Sequence, residues 1–441
     1  MLSPEENRLL TETGPGTPAG EVLRRYWQPV ALSIELEGRR PVKAVRVLGE
    51  DLVLFRTGSG ALGLVERQCA HRGADLAYAR LEDEGLRCLY HGWLYGPGGG
   101  CLEQPAEPAH SRFHHKVRLR SYPCWEQNGV LFAYLGGGEP PPRPGLDGLE
   151  APSAYTFAFK GLWECNWLQG LEGGIDPSHV SFLHRFLGDD PRDPYGQQFR
   201  DTVEGGEVPL STVVREDPRP QISVESTYYG FRVIALRRVL GGRLHVRLTN
   251  LVFPNAFVVP LSRRQAFVQW HVPVDDSHHY WYMILYDFQT PLDQDRLRAQ
   301  REAAYPPPDY RPLRRRDNQW GWDPDEQATI TYTGMGLDIN VHDQWAAESA
   351  GPIYDRSREH LGAQDVAILA YRRLLKKAMA QEAHGAAWSL KKRIGPPALD
   401  FIAQTDDWRT EWPERMRAMR GASPWAREWD LNLDADPGGG I

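Results

Sequence analysis

The chain has no long hydrophobic run. Across its 441 residues, no apolar stretch approaches the roughly twenty residues that a membrane-spanning helix needs. The N-terminal stretch MLSPEENRLLTETG is acidic and polar, unlike a signal peptide. The chain has only five cysteines, an odd number, and a single short arginine triplet at 314–316 within a net charge of −7. These absences argue against a membrane protein, a disulfide framework and nucleic-acid binding, and they predict a cytoplasmic protein with free or metal-bound thiols.

Hydrophobic patterning predicts two domains. Alternating apolar and polar residues favour β-strands in the first domain, and strand-like runs recur over residues 221–289. We expect an α+β fold, with an antiparallel β domain followed by a domain whose large antiparallel sheet is packed by helices. The predicted boundaries are a helical lead-in at 1–27, the β domain at 28–138, a Pro- and Gly-rich linker at 139–152 and the second domain at 153–441.

Two Cys-His pairs lie within one short stretch, CAHRGADLAYARLEDEGLRCLYHGW. Cys69 precedes His71 by two residues, and Cys88 precedes His91 by three. Residues i and i+2 do not share a helix face, so both pairs suit loops or tight turns. Buried thiols with unrelated histidines, a structural zinc site and a two-iron cluster are the three alternatives. Zinc sites usually pair Cys with Cys and His with His, whereas a Rieske cluster takes two cysteines on one iron and two histidines on the other.

A second polar cluster reads NWLQGLEGGIDPSHVSFLHR. Asp176 before Pro177 is typical of a helix N-cap followed by proline at the first helical position. His179 and His184 are five residues apart, which is about 140° of rotation on an ideal helix. Either the helix is distorted between these histidines, or the two side chains are unrelated.

Both clusters resemble one family. The motif CAHRG…CLYHGW, followed by GGGCLEQPAEP, resembles the Rieske domain of aromatic ring-hydroxylating oxygenases. Asp-x2-His-x4-His, preceded by Asn-Trp and Glu, resembles the mononuclear iron motif of the same family. The resemblance implies that a two-iron two-sulfur Rieske cluster and a mononuclear Fe(II) are the cofactors. It implies cluster ligands Cys69, His71, Cys88 and His91, and iron ligands that include His179 and His184.

The same resemblance extends to the remaining site residues. The stretch INVHDQWAAESAGPIYDRSREHLGAQD resembles the region that supplies a carboxylate ligand, for which we expect Asp343, with Glu348 and Asp355 as alternatives. Asp176 is then expected to orient two imidazoles, hydrogen-bonding His179 and His91 of a neighbouring subunit. The positions whose roles stay open are Asn166, Glu172 and Gln344.

The stretches ENRLLTETGPGTPAGEVLRRYWQPV and GPIYDRSREHLG resemble the phthalate-dioxygenase branch. That resemblance implies a terminal oxygenase that dihydroxylates an aromatic substrate with dioxygen, assembled as a homotrimer or stacked trimers. Electrons would come from NAD(P)H through a separate flavin and iron–sulfur reductase, or a ferredoxin with its reductase, since the chain has no strand-to-helix GxGxxG motif. The alternatives are a Rieske monooxygenase or an O- or N-demethylase, and a pure electron-transfer protein.

One strand-like run suggests how the substrate is bound. In GGRLHVRLTN the period of two places Arg243, His245 and Arg247 on one face. If this face lines the cavity, Arg247 is the residue expected to bind a substrate carboxylate in bidentate fashion. The alternative is a surface strand whose arginines form salt bridges.

Overall fold

The structure is a computed structural model that describes residues 2–188, 209–380, 393–394 and 396–427. Its α-helices are α1 (Pro4–Thr11), α2 (Pro18–Arg24), α3 (Asp147–Glu150), α4 (Trp167–Gly174), α5 (Leu210–Glu216), α6 (Gln294–Glu302), α7 (Pro324–Thr329), α8 (Ile339–Ser349), α9 (Val366–Ala380) and α10 (Trp408–Gly421). Within these ranges no helix is both long and apolar enough to cross a membrane.

The strands of the N-terminal part are β1 (Trp27–Leu32), β2 (Val42–Val47), β3 (Glu50–Arg56), β4 (Leu62–Glu66), β5 (Arg80–Glu82), β6 (Gly85–Arg87), β7 (Leu94–Tyr95), β8 (Cys101–Glu103), β9 (Cys124–Gln127), β10 (Val130–Tyr134) and β11 (Gly145–Leu146). Strands β1 to β10 form small antiparallel sheets in the orders β2-β3-β4, β5-β6-β7-β8 and β1-β10-β9, whereas β11 pairs in parallel with the strand at Arg393–Ile394. The Cys88–His91 loop joins β6 to β7, and the Cys69–His71 loop lies in the segment between β4 and β5. A separate core cluster that includes Phe55, Leu76 and Trp93 packs around these loops.

The strands of the C-terminal part are β12 (Thr156–Trp163), β13 (Gln221–Thr227), β14 (Gly230–Val239), β15 (Arg243–Val252), β16 (Ala256–Pro260), β17 (Gln265–Asp275), β18 (His278–Asp287), β19 (Arg393–Ile394) and β20 (Leu399–Ile402). All but β19 form one antiparallel sheet in the order β12-β18-β17-β16-β15-β14-β13, with β20 also paired to β15. The expected α+β fold with a large antiparallel sheet is confirmed.

Period-two alternation in β17 separates the two faces of this sheet. Ala266, Val268, Trp270 and Val272 are buried in the main hydrophobic core. The alternate residues of the same strand point to the opposite face, against which α4 packs. The sheet therefore has an apolar core on one side and a more polar site on the other.

Two segments that lead into the large sheet have local structure of their own. Strand β12 is followed directly by α4, which is capped by the Asn166 side chain. The stretch expected as a linker contains β11 and the single turn of α3, where Asp147 is paired with Arg420 at 2.6 Å. A buried ion pair of this kind ties the segment to helix α10.

Candidate metal centres and substrate cavity

The two Cys-His loops have the same backbone construction. The Gly73 N–H donates to the Cys69 carbonyl at 2.8 Å, and the Gly92 N–H donates to the Cys88 carbonyl at 3.0 Å. Both glycines adopt positive φ, +73° and +74°, a conformation that a Cβ would strain. Each loop therefore closes on its own cysteine.

This construction places thiols inside and imidazoles outside. Cys69 and Cys88 are both buried, whereas His71 is exposed and His91 is half-buried. The two imidazole centroids are 4.3 Å apart, and His71 stacks on Trp93 at 4.4 Å. Two inner thiols and two outer imidazoles on facing loops match the ligand set of a Rieske cluster.

A tyrosine hydroxyl reaches one of these thiols. The Tyr95 Oη lies 3.2 Å from the Cys69 Sγ, and the ring is fully buried. Burial, together with Cys69, raises the pKa of Tyr95 above its usual range, so the phenol stays protonated and is available as a donor. The hydroxyl can thus donate to a thiolate at Cys69.

Three side chains converge in the C-terminal domain. The His179 and His184 Nε2 atoms are 3.2 Å apart, and the Asp343 Oδ1 lies 3.1 Å from the His184 Nε2 and 3.7 Å from the His179 Nε2. Burial alone would raise the pKa of Asp343, but His184 and His179 outweigh it and hold that pKa below its usual value. In the described ranges these three groups are the only His, Cys and carboxylate set whose ligand atoms all lie within 4.8 Å of one another, close enough to hold a single metal ion.

These separations fit one small cation. Ligand atoms about 2.1 Å from a metal and about 90° apart lie about 3 Å from one another. Two imidazoles and one carboxylate on one side of a metal form the facial triad of non-haem Fe(II) oxygenases, which leaves coordination positions open. The residues therefore fit a mononuclear iron.

The backbone between the two histidines explains how residues five apart can converge. The chain forms a short 3-10 turn over His179–Ser181 rather than an α-helix. Asp176 does not cap an α-helix; its Oδ1 accepts the Ser178 N–H at 2.7 Å and so fixes the turn before His179. Departure from α-helical geometry lets both imidazoles face Asp343.

His342 fixes the ring of His184, and the sequence reasoning missed this residue. The His342 Nε2 lies 2.8 Å from the Gly336 carbonyl, which can only accept, so the Nε2 carries the proton. Burial lowers the pKa of His342 to about 4, which keeps the ring neutral and makes its Nδ1 an acceptor. The His184 Nδ1 is 3.4 Å from that atom and must donate, leaving the His184 Nε2 lone pair facing Asp343. The signal available in the sequence was a histidine directly before the expected carboxylate.

Asp176 lies on the other side of His179. Its Oδ2 is 3.8 Å from the His179 Nδ1, which is too long for a hydrogen bond, and this buried Nδ1 has no partner among the described residues. The Asp176 carboxylate is partly exposed, with 19% of its side chain accessible. It is therefore accessible both to His179 and to groups outside this chain.

The three converging groups open onto a cavity of about 1120 Å³. One face of the sheet forms its floor, through alternate residues of four strands that include Thr249, Phe257, Gln269 and Met283. The three converging groups belong instead to the loop after α4 and to α8. A mostly apolar floor facing a candidate metal site suits an aromatic ring.

Arg247 lines this cavity but already has partners. Its Nη1 is paired with Asp400 on β20, and its Nη2 donates to the Pro260 carbonyl at 2.9 Å. His245, two residues earlier, contacts the same Asp400 carboxylate. Each terminal nitrogen of Arg247 keeps a second N–H, so contact with a substrate carboxylate would be shared with these partners.

Two of the positions left open are structural. The Asn166 side chain accepts the Leu168 N–H and donates to the Thr11 carbonyl at 2.9 Å. Glu172 is buried between Arg356 at 2.7 Å and Arg372 at 2.6 Å. Burial would raise the pKa of Glu172, but the two guanidinium groups outweigh it and keep the carboxylate charged. Neither side chain lines the cavity.

The other acidic candidates lie away from the converging groups. Glu348 accepts the Glu164 N–H, the Trp320 indole N–H and the Gln344 amide at 2.9 to 3.1 Å. Gln344 is thereby buried against Glu348 and does not line the cavity. Asp355 accepts the N–H of Ser357 in an exposed turn.

Comparison with known proteins agrees with this geometry. Residues 26–123 match the Rieske [2Fe-2S] domain model, and residues 153–419 match the model described as LigXa C-terminal domain like. The phthalate 4,5-dioxygenase oxygenase subunit of Pseudomonas putida is 33% identical, over 99% of both chains. The 5,5'-dehydrodivanillate O-demethylase oxygenase subunit of Sphingobium sp. (strain NBRC 103272 / SYK-6) is 44% identical over 191 residues, 42% of this chain and 44% of that protein.

A solved structure shares the fold. The complex of oxygenase and ferredoxin of carbazole 1,9a-dioxygenase contains a chain with 21% identity and a TM-score of 0.51, covering 88% of this chain and 98% of that one. A Rieske domain joined to a catalytic domain of this fold defines an oxygenase component of the Rieske type. The chain belongs to the Rieske non-haem iron oxygenases, whose cofactors are a Rieske [2Fe-2S] cluster and a mononuclear iron.

Proposed function

We propose that this chain is a terminal oxygenase that dihydroxylates an aromatic carboxylate, of the phthalate or benzoate type, using dioxygen. The observation that carries the proposal is the convergence of His179, His184 and Asp343 at a cavity with a mostly apolar floor. The name of the Pseudomonas relative, a phthalate dioxygenase subunit, supports the substrate class. The guanidinium of Arg247 at the cavity wall supports an anionic substrate.

In this proposal Cys69 and Cys88 hold one cluster iron, His71 and His91 hold the other, and the three converging groups hold the mononuclear iron. When bound, the cluster supplies single electrons and the mononuclear iron supplies dioxygen activation. The residues of the chain orient these groups: His342 holds the His184 ring, and the Tyr95 hydroxyl donates to Cys69.

The sheet floor holds the ring of the substrate, while Arg247 contacts its carboxylate. A carboxylate that meets the guanidinium shares it with Asp400, so we expect modest affinity. Replacing Arg247 with glutamine should weaken aromatic-acid binding about tenfold, by loss of a charge-assisted hydrogen bond. Unchanged affinity for the acid would remove Arg247 from the substrate site.

We further propose that the oxygenase is a homo-oligomer, a trimer or stacked trimers, in which the cluster of one copy approaches the iron of the next. The Cys88 loop exposes Leu89 and Tyr90, and two 3-10 turns of the same domain expose Tyr78 and Phe113. The chain near the iron exposes Phe182, Ile330 and Tyr332. In the assembly Asp176 would lie between His179 and His91 of the neighbouring copy.

This assembly has a direct test. Replacing Leu89 with aspartate should dissociate the oligomer in sedimentation experiments. It should also abolish electron transfer from the cluster to the mononuclear iron of the neighbouring copy, while the cluster itself stays reducible. An intact oligomer with normal transfer would refute the proposed contact. Electrons would enter from a separate reductase, or a ferredoxin with its reductase; the oxygenase–ferredoxin complex of the structural relative supports such a partner.

A second candidate activity is O-demethylation or another monooxygenation. The 44% identity to an O-demethylase subunit over 191 residues favours it. A pure electron carrier would leave the three converging groups without a role. An iron count separates that alternative, because an oxygenase binds about three irons per chain and a carrier about two.

The deciding experiment is a single turnover of the reduced protein with heavy-isotope dioxygen and a panel of aromatic acids and methoxyarenes. Two labelled oxygens in a dihydrodiol would support dioxygenation. One labelled oxygen, or formaldehyde release, would support the second candidate. The Asp343→Ala variant provides the control, since it should retain the cluster, lose one iron in three and give no product.

A further inference from the structure

A chain of buried hydrogen bonds runs from the protein interior to the cavity wall. The His279 Nδ1 lies 2.8 Å from the Cys165 carbonyl, and the His279 Nε2 lies 2.9 Å from the His271 Nδ1. The His271 Nε2 lies 3.1 Å from the Gln269 Nε2. Both histidines are almost completely buried, and Gln269 lines the cavity. The proposed function described above gives these hydrogen bonds no role.

The Cys165 carbonyl sets the direction of every bond in the chain. A carbonyl oxygen can only accept, so the His279 Nδ1 carries the proton. Burial lowers the pKa of His279 to about 4, and burial also lowers that of His271 well below its usual value, so both rings are neutral. A neutral His279 then accepts at Nε2 from the His271 Nδ1, which leaves the His271 Nε2 as an acceptor.

The last bond fixes the amide of Gln269. Because the His271 Nε2 accepts, the amide nitrogen of Gln269 must face it, and a flipped amide would bring two acceptors face to face. The Gln269 Oε1 is left over and has no partner among the described residues. Its cross-strand neighbours on β16 and β18 are Phe257 and Met283, which offer no donor.

Helix α4 connects this position to the metal site. A Cβ added at Gly170 would lie 2.4 Å from the His271 Nδ1, so the helix backbone packs directly on the hydrogen-bonded histidines. A Cβ at Gly174 would lie 2.0 Å from the Phe257 ring, and Asp176 follows two residues later. Gln269 lines the same cavity as the three converging groups, next to the Phe257 ring that packs against their loop, so its remaining oxygen is the polar group that it offers there.

We propose that Gln269 is a specificity-determining residue whose side-chain oxygen accepts a hydrogen bond from a hydroxyl or N–H of the substrate. This inference rests on the proposed function. Together they limit the substrate class to aromatic acids that carry a hydrogen-bond donor, such as a hydroxybenzoate. Removing the donor leaves the Gln269 oxygen facing an apolar methyl group. His271 and His279 are positioning residues, because they act on the substrate only through Gln269.

The test uses the oxidised holoenzyme, which binds ligands without turning them over. Dissociation constants are measured by calorimetry for the three hydroxybenzoates and the corresponding methoxybenzoates, and for the matching neutral benzamides. One neutral hydrogen bond corresponds to about a five- to tenfold tighter Kd for the hydroxy compound. The variants are Gln269→Met, which keeps the side-chain length, and Met283→Leu as the control on the neighbouring strand.

We expect wild type and Met283→Leu to bind a hydroxy acid with a lower Kd than its methyl ether for at least one ring position. The Gln269→Met variant should lose that difference in Kd. Acids that bind without any such preference, or with one that persists in Gln269→Met, would overturn the inference and leave the proposed function intact. A Gln269-dependent preference seen only among the benzamides would support the acceptor role and refute the acid substrate. No binding in either series would refute both.

Discussion

The hydroxyl of Tyr95 offers the sharpest test of the cluster site. It lies 3.2 Å from the Cys69 Sγ in a fully buried position, so replacement by phenylalanine removes one oxygen and little else. A donor to a ligand sulfur stabilises the reduced cluster more than the oxidised one, because reduction adds negative charge. We therefore expect the Tyr95→Phe variant to have a lower reduction potential.

The size of the shift follows from hydrogen-bond energetics. A hydrogen bond to a charged group contributes about 1.5 to 3 kcal/mol, of which we assign about 1 to 2 kcal/mol to the difference between the two oxidation states. For a one-electron couple, about 1.4 kcal/mol corresponds to about 59 mV. The expected decrease is therefore about 40 to 90 mV.

Potentiometric titration of the purified oxygenase, followed by the spectrum of the reduced cluster, measures this shift. Tyr90→Phe is the matched control, because Tyr90 lies in the Cys88 loop with its ring 3.9 Å from His91 and 54% of its surface exposed. A potential within about 15 mV of wild type in Tyr95→Phe, below the range worked out above, would show that the hydroxyl does not donate to the thiolate. Loss of the cluster altogether would instead show that Tyr95 is required for assembly.

Three further substitutions test the surroundings of the mononuclear site. Replacing His342 with phenylalanine removes the acceptor that orients the neighbouring imidazole, so we expect about 10- to 100-fold weaker iron binding, measured by metal titration, with an unchanged cluster spectrum. Gly170→Ala should lower the melting temperature through a loss of about 1 to 3 kcal/mol, since its Cβ overlaps a buried ring, whereas Gly173→Ala in the same helix meets nothing within 4 Å and should not destabilise the protein. Glu172→Gln leaves Arg356 without its buried carboxylate and should reduce the free energy of unfolding by about 3 to 5 kcal/mol in denaturant titrations.

Each of these three predictions would be contradicted by a specific result. Iron binding that is unchanged in the His342 variant would mean that the ligand ring is held by other contacts. Equal melting temperatures for the two glycine variants would contradict the close packing of α4 on the hydrogen-bonded chain. A Glu172→Gln protein of normal stability but impaired turnover would contradict the structural role and indicate a role for Glu172 in turnover.

The parts of the site that the sequence predicted depend on short-range geometry. Cys69, His71, Cys88 and His91 lie within one stretch of 23 residues, so their spacing alone indicated two facing loops. The convergence of His179 and His184 could not be read from spacing, because it depends on a non-helical turn. There the family resemblance supplied the expectation.

The parts that were missed depend on strand register. The partner of Arg247 is Asp400, 153 residues later, on a strand whose pairing with β15 no local pattern reveals. The alignment of Gln269 with His271 and His279 likewise requires the register of β17 against β18. Polar residues inside strands signal such networks only weakly, since the same pattern occurs on solvent-facing strands.

The cavity joins two kinds of element with different freedom to change. Its floor is a set of alternate side chains on paired strands, whose backbone positions are set by the ladder whatever the side chain. The three converging groups, His179, His184 and Asp343, come from a turn and from α8, outside that ladder. Floor residues that do not support this turn, such as Phe267 and Met283, can therefore be exchanged without moving the three converging groups. Selection, or a protein engineer, can thus redirect this oxygenase toward a new ring by altering the sheet alone and keep its oxidising chemistry intact.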